Sequence, residues 1–150
     1  MKTSDELRTV LSDLFKNQKL AVLATHNHGQ PYTSLVAFGA SEDLRYLAFA
    51  TTRSTRKFNN LSGDPRVSML VDSRSNRVSD IRKAVAATAT GRAEEVESEE
   101  REELLRVYLS KHPHMEAFAR SPSCALLRVE VETYYVVRQF QKVFELHMKP

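Results

Sequence analysis

The sequence predicts a mainly β chain whose antiparallel strands close into a barrel with helices on its flanks. Short apolar or alternating runs recur along it, each bounded by Gly, Pro, Asn, Asp or Ser, as strands are. Most connections between these runs are too short for the crossover that a parallel pair needs, so neighbours should pair antiparallel. Helical periodicity is confined to the start, one short central segment and the region after residue 97.

The elements follow in order. Leu7, Val10, Leu11, Leu14 and Phe15 recur at helical spacing, which predicts a helix over Ser4 to Lys16. Thr3 and Glu6 fit a capping box at its start. Lys19 to Thr25 is a short apolar run, hence a buried strand. His26 to Pro31 is a turn, with Gly29 free to take a positive φ. From Tyr32 to Phe38 the side chains alternate between two faces. Gly39 to Asp43 turns the chain into a third strand, Leu44 to Ala50. A short helix over Lys57 to Ser62 is stopped by Gly63-Asp64-Pro65, and Arg66 to Asp72 is a fourth strand.

Ser73 to Ile81 reads as a polar connection. Ala84 to Val96 is a long strand whose first half is poor in bulk. Small residues there allow close approach of a flat ligand or of another backbone, and Gly91 equally suits a bend in a curling sheet. Glu94 to Glu103 is a dense charge run, read as a solvated helix start capped by Ser98 rather than a cation site. Leu104, Leu105, Tyr108 and Leu109 supply the buried stripe. A second short helix is expected over His114 to Arg120. Three closely spaced strands, Ala125–Val131, Tyr134–Phe140 and Val143–His147, should finish the barrel.

Length and composition narrow the functions. The 150 residues are 41% hydrophobic and 27% charged, which suits one globular domain over 1–150. A net charge of +3 fits a small anionic ligand and is too weak to argue for nucleic acid. Cys124 is the only cysteine, so no internal disulfide forms and a reducing compartment is expected. No apolar run approaches the roughly 18 residues of a membrane span, and the first residues lack a secretion signal's apolar core. The expectation is a cytoplasmic protein without a membrane partner.

The chemistry concentrates where the third strand ends. Leu47-Ala-Phe-Ala50 runs into Thr51, Thr52, Arg53, Ser54, Thr55, Arg56 and Lys57, and then into the short helix. Hydroxyls, guanidinium and ammonium groups at a helix start offer many donors to a phosphate dianion. A loop that only caps the helix is the competing reading.

Taken together, these segments resemble the FMN-binding split barrels related to pyridoxamine 5′-phosphate oxidase. The resemblance is carried by His28-Gly-Gln-Pro-Tyr-Thr-Ser-Leu-Val36, Leu47 to Leu61, Asp64-Pro-Arg-Val-Ser-Met-Leu70 and Ala87 to Val96, and it covers most of the chain. It implies a six-stranded antiparallel Greek-key split barrel and a homodimer with flavin at the subunit interface. It also implies that Thr55, Arg56 and Lys57 bind the FMN phosphate, with the Thr51 and Thr52 hydroxyls nearby. Ser34, Leu35 and Val36 would lie beside the flavin ring, Ser34 where family members commonly carry an Arg. Arg74 is a candidate charge near the ring's pyrimidine end, and Asn76 a candidate hydrogen-bond partner for its edge. The oxidase proper has a Lys at the position of Gly39 and an Arg-x-His motif in a C-terminal extension; neither is present here. Pyridoxamine-phosphate oxidation is therefore not expected.

The leading function is a small FMN-dependent oxidoreductase, a flavin reductase or a reductase of a planar acceptor, taking a small-molecule substrate or electron donor. The alternative is a carrier or sensor that binds flavin or haem without turnover, and coenzyme F420 is a further possible ligand. A nucleic-acid-binding barrel is disfavoured by the scarcity of aromatics in the basic segment. His26 with His28, and His112 with His114, lack further ligands at metal-site spacing. Cys124 beside an apolar strand reads as a packing residue, and Phe140 and Lys142 as core and surface.

Overall fold

The computed structural model describes residues 3–148; residues 1, 2, 149 and 150 lie outside the described part. The element order is α1 (Ser4–Asn17), β1 (Leu20–Asn27), β2 (Gln30–Ala40), β3 (Tyr46–Thr52), α2 (Arg56–Gly63), β4 (Arg66–Asp72) and α3 (Asp80–Lys83). It continues with β5 (Ala86–Glu95), α4 (Ser98–Lys111), a 3-10 turn (Pro113–Met115), α5 (Glu116–Ala119), β6 (Cys124–Arg138) and β7 (Lys142–His147).

All the strand pairings are antiparallel. The order β3-β2-β1-β4-β5-β6 closes through a β3–β6 pairing into a six-stranded barrel, and β7 adds to β6 outside the ring. The first half of β6, Cys124 to Glu130, pairs with β3, whereas Thr133 to Arg138 pairs with β7. One edge of β6 thus serves two neighbours along its length.

That arrangement corrects the expectation of two separate strands over 125–140. Glu132 and Thr133 form no turn. Gly91 pairs with Val131 and Thr90 with Thr133, so Glu132 is the extra residue of a β-bulge. Gly91 explains the close approach: a Cβ there would overlap the Glu130 carbonyl oxygen and lie 2.9 Å from its carbon. The small residues Ala87, Ala89 and Ala93 are buried in the core, so on that face it is the protein that uses the narrow strand.

Helix α1 starts as expected, Thr3 Oγ1 accepting from the Glu6 amide at 3.1 Å. Its buried face is Leu7, Leu11, Leu14 and Phe15, and the Phe15 ring packs edge-on against Phe38 at 5.5 Å. Helix α2 packs near the β1–β2 hairpin, where buried Asn60 donates to Thr25 at 3.1 Å. The two helices therefore sit towards opposite ends of the barrel. Helix α4 lies outside β2 and β3, burying Leu104, Leu105 and Tyr108 against Ala48 and Leu126.

Other boundaries differ for local reasons. Ser98 is not a cap: Glu97 occupies that position and Ser98, at φ 57°, is already in the helix. The His114–Arg120 helix is a 3-10 turn followed by one short α-turn, with Pro113 fixing the start. The polar connection contains α3, because Asp80 accepts from the amides of Ser75 (2.8 Å) and Arg77 (3.0 Å) and folds the loop back. Strand β3 starts two residues later than expected, at Tyr46, Leu44 being held at φ 65° in the turn.

Candidate functional site

A cleft of about 860 Å³ opens where the β1–β2 hairpin faces the start of α2. Asn27, Gln30 and Tyr32 line the hairpin side, while Arg53, Ser54, Thr55, Arg56 and Asn59 line the helix side. No lining residue is a carboxylate. Two arginines and several amide and hydroxyl groups thus line a wall without a carboxylate, which favours an anionic ligand.

The backbone turn that presents these groups is built by threonines. Thr55 caps α2, its Oγ1 accepting from the Phe58 amide at 3.3 Å. The same hydroxyl lies 2.8 Å from Thr51 Oγ1 and donates to the Thr52 carbonyl at 3.1 Å. Thr51 is buried and also donates to the Thr52 carbonyl. Both hydroxyls are thereby committed to holding the turn, so Thr51 and Thr55 shape the site rather than lend it free donors. Thr52 Oγ1 lies 3.3 Å from Ser54 Oγ. The first amides of α2 have no carbonyl one turn back, and the helix dipole adds to their pull on an anion.

The two cleft arginines differ. Arg53 is tied down: it pairs with Glu95 and donates to the Pro122 carbonyl at 2.9 Å. Arg56 is exposed, forms no ion pair among the described residues, and stacks 5.6 Å from the Tyr32 ring centroid. That ring orients the guanidinium over the cleft while its donors stay free. Lys57, half-buried in the same turn, does not line the cleft.

Strand β2 presents the other expected residues on two faces. Val36 is buried in the core and Leu35, 64% exposed, points outward. Ser34 shares the Val36 face, and its Oγ is buried without a hydrogen-bond partner. Arg74 and Asn76 are elsewhere. They follow Asp72, at the end of β4 far from the hairpin, since Ser68 pairs with Ala24 and Leu70 with Val22. Arg74 pairs with Asp72 at 2.9 Å, and Asn76 occupies a turn at φ 64°. Within one subunit neither joins the cleft.

Asn27, Gln30, Tyr32 and Asn59 escaped the sequence reading. Asn59 sits one helical turn after Arg56, a spacing that would have revealed it. The hairpin residues are brought over by tertiary folding alone. His26 is occupied: its Nδ1 accepts from the Gly29 amide at 3.2 Å, and its Nε2 lies 3.0 Å from Asp64. Hydrogen bonds from Arg66 hold the Asp64 carboxyl well below the usual carboxylate range.

A family model described as pyridoxamine 5′-phosphate oxidase matches residues 5–138. The chain belongs to this family. None of the curated proteins compared with it matches. Among solved structures, a heme binding protein from Mycobacterium smegmatis is similar at TM-score 0.82 and 18% identity, over 98% of this chain and 58% of that one. The chain therefore spans little more than half of that protein. General Stress Protein 26 from Bacillus anthracis str. Sterne superposes at TM-score 0.68 with 19% identity, covering 95% of this chain and 98% of its own. A FAD-binding protein from Mesorhizobium loti gives 0.67 and 19%, over 85% and 90%. At such identities the likeness establishes the shared fold.

Proposed function

We propose that the protein binds flavin mononucleotide and acts as a small oxidoreductase. The observation that carries this reading is the carboxylate-free cleft at the start of α2, with the Arg56 guanidinium, unpaired among the described residues, above it. The unpartnered Ser34 Oγ fits the same ligand, as a buried hydroxyl on the strand assigned to the coenzyme. Arg56, Ser54 and the first α2 amides hold the phosphate; Thr51, Thr52 and Thr55 hold the turn. Lys57 contributes long-range charge. Exposed Leu35 flanks the ring, while Val36, buried in the core, anchors the strand behind it. The flavin supplies two-electron chemistry when bound, so the protein's task is to bind, orient and exclude water.

The partner is a second copy docked on the outer face of the sheet. Leu20, Leu35 and Val143 are at least half exposed there, at 50%, 64% and 57%, beside half-buried Val22, Leu70 and Val137. Arg74 and Asn76 take part only if the second copy brings them to the cleft. Pyridoxamine-phosphate oxidation is disfavoured by Gly39, because a Cβ there would press on the α4 backbone, 3.3 Å from Tyr108 Cα and from the Val107 carbonyl.

The resemblance in fold to a heme binding protein supports a second reading, a haem or flavin carrier without turnover. Mass spectrometry of the copurifying small molecule, followed by NADH and NADPH oxidation assays, tests both. A flavin mononucleotide mass with rapid turnover supports the enzyme. A Soret band, or flavin without turnover under any donor, supports the carrier.

A further inference from the structure

A second cavity, of about 500 Å³, lies between α1, the β2–β3 turn and α4, away from the hairpin cleft. Phe15, Gly39, Leu44 and Val107 give it an apolar wall, Ser12, Ser41, Ser110, Lys16 and Glu42 a polar rim, and Lys111, the last residue of α4, lines it too. The Lys111 Nζ donates to the Phe15 carbonyl at 2.7 Å and lies 3.6 Å from the Phe38 ring centroid. It forms no ion pair among the described residues. An ammonium group with one carbonyl hydrogen bond and one ring face, and no carboxylate in contact among the described residues, is only partly compensated for lost water.

We propose that Lys111 is a nucleophilic amine that captures a small aldehyde in this cavity as a Schiff base. The neutral amine's lone pair forms the C–N bond while the carbonyl π pair moves to oxygen. The nitrogen passes a proton through solvent to that oxygen, giving a carbinolamine. Loss of water then leaves the C=N bond, with one water released and no oxidant or reductant consumed. The cavity's dimensions and walls suit an aldehyde with a small apolar body.

The electrostatic surroundings favour the neutral amine. Burial pushes Lys111 down to about 8, and the nearby Lys19 adds like-charge repulsion. The other charged or titratable groups around the site are Lys16 on α1, Glu42 in the β2–β3 turn, and His112 and His114 after α4. Near pH 8 about half of such an amine is neutral, against about one in 250 for a lysine near 10.4.

Benzaldehyde with cyanoborohydride at pH 8, followed by peptide mapping, tests the proposal on the whole protein. The expected result is a Lys111 adduct formed at least about tenfold faster than adducts at exposed Lys83 and Lys142, with a rate that saturates in aldehyde. Lys111→Arg should melt like the native protein and lose the fast adduct. Lys111 labelling no faster than the exposed lysines overturns the proposal, as does a rate strictly linear in aldehyde. A fast adduct persisting in Lys111→Arg overturns it as well. If that variant does not fold, the wild-type map decides.

Discussion

Replacing Arg56 by Ala removes the one cleft arginine that the fold does not already use. Its guanidinium has no carboxylate partner among the described residues and rests on the Tyr32 ring. The substitution should therefore leave stability nearly unchanged, within about 0.5 kcal/mol as for ordinary surface changes. Binding is a different matter. A hydrogen bond to a charged group contributes about 1.5–3 kcal/mol, so losing one such contact to the phosphate should weaken flavin mononucleotide binding about ten- to a hundredfold. Riboflavin, which lacks the phosphate, should bind both proteins alike. Arg53→Ala should behave differently, because Glu95 and the Pro122 carbonyl already hold that side chain; its effect on phosphate selectivity should be much smaller. Titration calorimetry with both ligands measures all of these quantities. Unchanged flavin mononucleotide affinity in Arg56→Ala, or an equal loss for riboflavin, would refute the phosphate assignment.

Three further outcomes follow from the geometry. Gly91→Ala should destabilise the barrel by about 3 kcal/mol, the upper range for overpacking, because its neighbours are backbone atoms of Glu130 and Val131; urea unfolding checks this, and an unchanged midpoint contradicts it. His112 is buried, its Nε2 lies 2.8 Å from the Phe38 carbonyl, and burial lowers its pKa below 6.5. The unfolded chain then binds the extra proton first, so stability should be full above pH 7.5 or so and fall as pH drops through about 6.5, by at most about 1.4 kcal/mol per pH unit. Denaturant melts across that window should show this slope, and His112→Gln should flatten it. Leu35→Asp, on the exposed sheet face, should convert a dimer to monomers in sedimentation; an unaltered mass argues against that face.

Much of the barrel could be read from alternation and turn chemistry, since each strand from β1 to β5 carries its own buried face. Beyond local shifts at element ends, the main failure was one of long-range pairing. The bulge at Glu132 is set by the partner residues Thr90 and Gly91, so residues 125–140 alone suggest a break where the strand only kinks. The site was half legible. Arg56 and the threonine turn are contiguous in sequence, and the helix start is visible from its capping residue. Tyr32, Asn27 and Gln30 reach the cleft only because the hairpin folds onto α2. Arg74 and Asn76 show what one subunit cannot supply: strand direction carries their loop to the other end of the barrel from the cleft, so only a second copy would bring them to it.

The most direct test of the central claim is a fluorescence titration of ligand-free protein with flavin mononucleotide. The account predicts quenching that saturates at one flavin per chain, with amide NMR shifts concentrated at Ser54 to Lys57. Absence of saturable quenching, or shifts confined to the far end of the barrel, would contradict it.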